Sequence, residues 1–434
     1  MPSLSRRKFI AGAGVTAAAG ASAVAAVRHP WTRAATHPAA THPGASSGSG
    51  KGTLVLVALY GGNDGENTVI PFTDPAYLAG RPTLGYQPGE VIPLDHELGL
   101  HPNLKGLKSL WDAKQLAIVR GVGYPAPSHS HFRGMDIWQS AVPETDEATG
   151  WIGRWLDTVG TKDPLVSVSL GPTLPKVVSG AKTAGAAVPT GPLSLPGGPR
   201  VEGPFAAVEG ARLFSGELAN RVAQSGTDLL TVIHSVSDVL ATQPAGSVDT
   251  NLETAPPDST TAPATPAASG RRPAARTGLA AELDLVARLI KGGLPSRVYV
   301  VSMGGFDTHV TEKQNHAALM TQLDAGITGF VKAMAADPRG KDVVVMTFSE
   351  FGRRVAQNAS GGTDHGTAAP LFVAGPGVKG GFYGDQPSLT ALDQGDLRFT
   401  TDFRSVYATV ADRVLGIDPK TVLGGKTFPT IPFV

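Results

Sequence analysis

The chain has 434 residues, of which 41% are hydrophobic and 17% are charged, and its formal net charge is +1. The charges are nearly balanced and the sequence shows no basic stripe, so nucleic acid is excluded as an expected partner. The chain has no cysteine, which excludes disulfides, thiolate metal sites and a cysteine nucleophile. Any metal would have to be held by His, Asp, Glu or backbone oxygen.

The N-terminal segment has the pattern of an export signal. Arg6 and Arg7 precede an uncharged stretch at 9–27 made mostly of Ala, Gly, Val and Ser, with an AVA motif at 23–25. Paired arginines before such a stretch are typical of twin-arginine signals. The alternative is a retained transmembrane anchor, but the stretch has too little Leu, Ile and Phe to insert strongly. We therefore predict a signal peptide at 1–27, the twin-arginine translocase as a partner during export, and a periplasmic or secreted location.

Two segments of biased composition interrupt the chain. Residues 28–50 are rich in Ala, Thr, His, Pro, Gly and Ser without periodicity, which predicts a flexible tether. Residues 247–277 are rich in Pro, Thr and Ala, and such a segment cannot bury enough apolar surface to order itself. Strand and helix patterns alternate on both sides of it. We therefore predict one domain over 51–434, with 247–277 as a disordered surface insertion.

Periodicity predicts an α/β domain. The run TLVLVAL at 53–59 is apolar throughout, as a strand buried on both faces should be. The predicted elements, in chain order, are strand 53–59, helix 102–110, strands 116–119 and 166–170, helix 279–290, strand 297–302, helix 315–336, strands 343–348 and 371–374, and helix 402–415 with Asp402 as its N-cap. The alternation predicts a parallel sheet that is covered by helices.

Polar residues follow four of these strands, and a fifth group precedes the strand at 371. Ligands bind at the carboxyl ends of the strands in sheets of this kind. Each of these polar residues could also have a purely structural role, as a turn cap, a helix start, an ion-pair partner of Arg353 or an ordinary turn residue. Taken together, the carboxylates and imidazoles predict a divalent metal site (Zn²⁺, Mn²⁺, Ca²⁺ or Mg²⁺), whose candidate ligands are Asp64, Asp307, His309, Glu350 and His365. Asp307 and His309 form the strongest pair, because residues two apart in an extended segment face the same side.

Other catalytic motifs are missing from the sequence. No G-x-S-x-G pentapeptide of a serine esterase occurs, and neither does a phosphate-binding loop that ends in Lys-Ser or Lys-Thr. A convincing dinucleotide fingerprint is also absent.

Several long segments resemble the twin-arginine-exported family known as domain of unknown function 1501. The matching segments are 56–77, 130–141, 150–157, 304–320, 348–384 and 396–425, including GGFDTH and GGTDHG. The resemblance implies a doubly wound, mainly parallel sheet of alkaline-phosphatase-like type with helices on both faces. It also implies that Ser130 is the nucleophile, with Ser128 as the weaker choice. It further implies that the five residues above bind metal.

The family resembles the alkaline phosphatase and sulfatase superfamily, and the chain departs from that superfamily's pattern in two places. The spacing in Asp307-Thr308-His309 is narrower than usual, and Glu350-Phe351 stands where an Asp-His pair is expected. The resemblance implies an exported metal-dependent hydrolase of phosphate or sulfate esters, in which the metal activates Ser130 or a water. Its substrate would be a small-molecule or glycan ester. The alternative is a non-catalytic exported binding or envelope-assembly protein with a degenerate site. The sequence leaves the metal, the substrate and the oligomeric state open.

Overall fold

The structure is a computed structural model, and it describes residues 52–191, 193–210, 216–243 and 278–434. The predicted signal peptide (1–27), tether (28–50) and insertion (247–277) lie outside the described residues and remain predictions.

Most strands in the described residues join one large sheet. The strands are β1 (Thr53–Leu59), β2 (Val69–Ile70), β3 (Ile92–Pro93), β4 (Gly99–Leu100), β5 (Leu116–Gly123), β6 (Ser167–Leu170), β7 (Ala186–Val188), β8 (Val298–Met303), β9 (Val343–Ser349), β10 (Arg353–Gln357), β11 (Thr363–His365), β12 (Ala369–Ala374), β13 (Gly381–Tyr383) and β14 (Thr401–Asp402). The large sheet has the order β13-β5-β12-β9-β1-β8-β6-β7, and β14 pairs with β5.

The α-helices of the described residues vary from a single turn to seven turns. They are α1 (Gly65–Thr68), α2 (Pro75–Gly80), α3 (Lys105–Asp112), α4 (His131–Ser140), α5 (Trp151–Val159), α6 (Pro199–Gly210), α7 (Glu217–Thr242), α8 (Leu279–Lys291), α9 (Glu312–Ala335) and α10 (Phe403–Val410). A π-helical turn at Ala411–Leu415 continues α10. Among these helices, none combines the length and the apolar character that a membrane span requires.

Strand β1 lies at the centre of the sheet and is buried on both faces. Val55, Val57 and Leu59 belong to one apolar cluster, which includes side chains from α3, α8 and α9. The alternate residues Leu54 and Leu56 belong to a second cluster, with side chains from α4, α5 and α10. Since successive side chains of a strand point to opposite faces, this division places a helical layer on each face. The predicted doubly wound α/β fold is confirmed.

The sheet is mainly parallel, with one exception near the site. Strand β1 runs parallel to both β8 and β9, whereas β12 runs antiparallel to β5 and β9. The prediction that the strand at 371–374 belongs to a parallel sheet is therefore corrected. The reversal follows from the short hairpin of β10 and β11, which brings the chain back toward the end of β9 before β12 begins.

The register aligns the ends of three central strands. Leu59 at the end of β1 is paired with Met303 of β8 and with Ser349 of β9. The segments that follow these strands therefore leave the sheet at the same edge. Strand β1 precedes the undescribed residues 244–277 and β8 follows them, so one sheet holds strands from both sides of that gap.

Candidate metal centre

The edge formed by the ends of β1, β8 and β9 carries a group of imidazoles and carboxylates. Asp307 and His309 follow β8, Glu350 follows β9, His131 begins α4 and His365 ends β11. We call His131, Asp307, His309 and His365 the metal centre. Three of them, His131, Asp307 and His365, each bring one potential ligand atom within 4.8 Å of the other two.

Two glycines allow the segments of the metal centre to approach closely. Gly61 follows β1 with φ of +119°, and a Cβ there would lie 2.3 Å from the backbone nitrogen of Asp307. A Cβ at Gly362 would lie 2.2 Å from the carbonyl carbon of His309. Side chains at either position would push these backbones apart. Glycine is therefore needed at both positions to hold Asp307 and His309 in place.

The ligand atoms converge on the carboxylate of Asp307. Its Oδ1 lies 3.0 Å from Nε2 of His309 and 3.2 Å from Nε2 of His365. Its Oδ2 lies 3.4 Å from Nε2 of His131. Ligands of a tetrahedral zinc ion are roughly 3.3 Å apart, given metal–ligand bonds of about 2.0–2.1 Å. The distances from the Asp307 carboxylate to the three imidazoles are therefore close to those between ligands of one ion.

Each imidazole has its other nitrogen beside an acceptor. Nδ1 of His131 lies 2.8 Å from Oε1 of Glu350, and Nδ1 of His365 donates to the carbonyl of His129 at 2.8 Å. Nδ1 of His309 lies 3.5 Å from Oδ1 of Asp364. A proton on Nδ1 leaves the lone pair on Nε2, which is the form that binds metal. All three rings are therefore oriented with Nε2 toward Asp307.

His131 provides the test of whether the residues fit an ion. Its Nε2 is buried and has no hydrogen-bond partner. Its Nδ1 partner, Glu350, is only 1% exposed, and Oε1 of Glu350 also accepts from the backbone N–H of Gly61 at 2.8 Å. A buried nitrogen without a partner is costly unless a ligand satisfies it. The donor set of three imidazoles and one carboxylate suits a divalent ion, and such an ion would satisfy this nitrogen.

Arg353 holds the carboxylate side of the centre. Its buried guanidinium donates to Oδ1 of Asp307 at 2.8 Å and to the carbonyls of Gly62 and Thr363 at 2.8 and 2.9 Å. Burial alone would raise the pKa of Asp307, but hydrogen bonds with Arg353 and His365 lower it to about 2. Burial also lowers the pKa of the His365 imidazole. Both shifts favour the protonation states that bind metal.

Asp64 is not brought to the metal centre. Its carboxylate forms an ion pair with Arg81, and both side chains are fully buried. Arg81 also donates to the carbonyls of Val355 and Arg354 at 2.9 and 2.8 Å. Burial opposes the ionisation of Asp64, but the Arg81 guanidinium lowers the pKa of Asp64 well below its usual range. The carboxylate that was predicted to bind metal is therefore paired with a guanidinium.

The other predicted site residues have distinct positions. Asp307, His309 and His365 converge, whereas Glu350 contacts His131 and does not pair with Arg353. The predicted loop around His365 is instead the strand β11. Ser130 is exposed at the N-cap of α4, where its side chain makes no capping hydrogen bond.

Sequence reasoning missed three residues of this region, namely His131, Arg81 and Arg353. His131 belongs to the Ser-His-Ser-His run at 128–131, so the run itself was a usable signal for an imidazole at this edge. Arg353 was considered only as an ion-pair partner of Glu350, and Arg81 gave no signal, because arginine is ordinarily a surface residue.

Comparisons with solved structures find similar proteins at low sequence identity. The chain is similar to a protein in the alkaline phosphatase superfamily from Vibrio parahaemolyticus, with 11% identity and a TM-score of 0.40 over 88% of this chain and 71% of that one. It is also similar to the C-terminal periplasmic domain of EcEptC from Escherichia coli, in complex with Zn, with 11% identity and a TM-score of 0.33 over 76% of this chain and 75% of that one. A third is the phosphonate monoester hydrolase of Agrobacterium radiobacter, with 9% identity and a TM-score of 0.31 over 87% of this chain and 79% of that one.

No curated protein matches the sequence. The family model described as "Protein of unknown function (DUF1501)" matches residues 174–427, which is more than half of the chain. The chain therefore belongs to the DUF1501 family.

Proposed function

We propose that this protein is an exported, metal-dependent hydrolase of phosphate or sulfate esters. One observation supports this proposal most strongly: three imidazoles place Nε2 around the carboxylate of Asp307, and the Nε2 of His131 is buried without a hydrogen bond. Imidazole and carboxylate sets of this kind are typical of hydrolytic metal sites.

In this proposal His131, Asp307, His309 and His365 hold one divalent ion. Three nitrogen donors favour zinc over calcium or magnesium, which prefer oxygen ligands. The bound ion would supply a Lewis acid that neutralises the negative charge of the transferred group. Glu350 fixes the ring of His131, and Arg353 fixes the carboxylate of Asp307. These two residues orient ligands and do not contact substrate.

Ser130 is the proposed nucleophile. It directly precedes His131, its hydroxyl makes no cap bond, and the residue is exposed. The serine oxygen would form a bond to the phosphorus or sulfur atom as the bond to the ester oxygen breaks, and the hydroxyl proton would end on the leaving alcohol. Water would then cleave the covalent serine ester and regenerate Ser130. Backbone N–H groups in the first turn of α4 would favour the anionic group beside it.

We also propose that the protein works in the periplasm or outside the cell. The support is the arginine pair at Arg6 and Arg7 before an uncharged stretch. The twin-arginine route carries folded proteins, so the metal centre would be loaded before export.

A second candidate function is a non-catalytic exported binding or envelope-assembly protein. The observation that favours it is the ion pair of Asp64 with Arg81, which removes one of the carboxylates that the resemblance implied for metal binding. This reading keeps the fold and the metal centre but lacks turnover.

Turnover by the mature protein tests the proposal. The purified protein would be assayed with 4-nitrophenyl phosphate and 4-nitrophenyl sulfate, with zinc and with manganese. We expect hydrolysis of at least one ester, and we expect Ser130→Ala to abolish it while the metal stays bound. If the wild type holds metal but hydrolyses neither these esters nor a wider ester panel, the hydrolase proposal is wrong and the binding protein remains.

A further inference from the structure

A cleft of about 560 Å³ lies beside the metal centre. Its wall includes His129, and the carbonyl of this residue accepts the hydrogen bond from Nδ1 of His365. The cleft therefore shares a residue with the hydrogen bonds that orient a proposed metal ligand. Its volume lies within the range of about 300–1,000 Å³ that small-molecule sites occupy.

One rim of the cleft is a tight turn that presents the exposed side chains of Asp393 and Gln394. Asp393 and Asp396 exchange two backbone hydrogen bonds, each of 2.9 Å. Gln394 and Gly395, between them, have φ of +50° and +93°. A non-glycine residue in this conformation is uncommon and carries strain. Ala126, which also lines the cleft, is left-handed as well, with φ of +51°. The rims thus hold conformations that the surrounding structure must maintain.

A hydrogen-bond network holds the side chain of His129 at the cleft. Nε2 of His129 donates to Oδ2 of Asp396 at 2.8 Å, and Nε of Arg354 donates to Oδ1 of the same carboxylate at 3.1 Å. Asp396 is 6% exposed, whereas His129 is exposed. The buried carboxylate therefore orients an imidazole that remains accessible in the cleft.

The charges in and beside the cleft offset one another. Asp393 and Asp396 contribute two carboxylates, and Arg354 and Arg398 contribute two guanidiniums. A second phosphate group would find no net positive charge here, and an acyl chain would find a polar wall. The ring of Phe399 is 37% exposed at this wall and offers an apolar face.

We infer that this cleft binds the sugar part of a carbohydrate ester, with the ester group at the metal centre. Sugar hydroxyls both donate and accept hydrogen bonds, so they match a wall that exposes the Asp393 carboxylate as an acceptor and the Gln394 amide and Arg398 guanidinium as donors. The C–H face of a sugar ring packs against an aromatic ring such as Phe399. The inference rests on the proposed function only for the position of the ester. The binding of the sugar is independent of turnover.

Two measurements on the mature protein test the inference. The first compares kcat/KM for a hexose 6-phosphate with butyl phosphate, and for a hexose 6-sulfate with butyl sulfate. Both members of each pair are primary esters with the same reacting group. The second detects binding of uncharged methyl hexosides by saturation-transfer NMR. Phe399→Ala removes the apolar face, and Asp393→Ala provides a second variant if the first fails to fold. Phe132→Ala is the matched control, because Phe132 is 92% exposed beside His131 but does not line the cleft.

We expect wild type to prefer the hexose ester and to bind methyl hexosides. Phe399→Ala should lower kcat/KM for the hexose ester by about fivefold, leave butyl esters unchanged and reduce hexoside binding, whereas Phe132→Ala should do none of these. Absence of hexoside binding by wild type, or equal losses in both phenylalanine variants, would overturn the inference. Equal hydrolysis of hexose and butyl esters without an effect of Phe399 would overturn it and leave the hydrolase proposal intact. Phe399-dependent hexoside binding without turnover of any ester would support the cleft and contradict the hydrolase.

Discussion

The Nε2 atoms of His309 and His365 lie 2.9 Å apart. Both atoms also lie within 3.2 Å of Oδ1 of Asp307. Nδ1 of His365 already donates to a carbonyl, so its neutral ring has a lone pair at Nε2. A cation between these atoms would accept electron pairs from both rings and from the carboxylate. This relationship is the basis of the metal-binding account.

The first prediction concerns Asp64, which the sequence placed among the metal ligands. Asp64→Asn should leave metal content unchanged, because the carboxylate contacts Arg81 and not the metal centre. It should lower the free energy of unfolding by about 3 kcal/mol, since it leaves a buried guanidinium unpaired. Chemical denaturation and metal analysis of the same preparation measure both effects.

A matched control uses an exposed ion pair. Asp112→Asn breaks the ion pair with Lys108, and the side chain of Asp112 is 60% exposed. This substitution should lower the free energy of unfolding by about 0.5 kcal/mol or less. If Asp64→Asn lost metal as completely as a substitution of His365, then Asp64 would be a ligand and Arg81 would have to move.

The second prediction concerns the pH dependence of stability through Glu66, which is 3% exposed. Burial raises the pKa of Glu66 from 4.5 to about 7. Between these values the folded state holds a proton that the unfolded state has lost, so stability falls as pH rises through this window. The destabilisation is absent below pH 4.5 and complete above pH 7.

Glu66→Gln removes this titration. We expect the variant to be more stable than wild type by about 3 kcal/mol at pH 8, with no gain at pH 4, as measured by urea unfolding. Glu97→Gln, at an exposed carboxylate, should show no such difference between the two pH values. An equal effect of Glu66→Gln at both pH values would mean that the gain comes from packing and not from ionisation.

The third prediction concerns export. Replacement of Arg6 and Arg7 by Lys keeps the charge but removes the arginine pair, so the precursor should stay in the cytoplasm. Replacement of Arg28 and Arg33 by Lys, in the predicted tether, should leave export unchanged. Cell fractionation measures both variants. Normal export of the Arg6/Arg7 variant would contradict the twin-arginine assignment.

Local sequence patterns predicted the central elements well. The apolar run at 53–59 is β1 with the same bounds, and the helix predicted at 279–290 is α8, which ends one residue later. Asp402 caps α10 as predicted, with its side chain accepting from the N–H of Arg404. These elements were predictable because an apolar run, a helical repeat and a cap residue are each visible within a short window of sequence.

The features that were missed depend on contacts between distant residues. Glu350 and His131 are 219 residues apart, and no local pattern reports that they meet. The burial of Arg81 depends on carbonyls more than 270 residues away. The Asp307–His309 pair was predicted from an extended segment, but the N–H of Thr308 donates to the carbonyl of Phe306 at 2.8 Å, which makes a three-residue turn at Asp307. The two side chains still lie 3.0 Å apart. The sequence thus predicted the proximity of Asp307 and His309 but not their local backbone, and tertiary contacts decided which other residues lie beside them.

Metal content of the purified mature protein is the measurement that tests the central claim most directly. We predict about one equivalent of a divalent ion in wild type, and most of it lost in Asp307→Asn and in His365→Ala, because ligands of one ion act as a unit. Ser130→Ala should keep the ion, since a nucleophile is not required to hold it. If Asp307→Asn and His365→Ala, tested singly, both kept wild-type metal content and thermal stability, the metal centre would be elsewhere or absent.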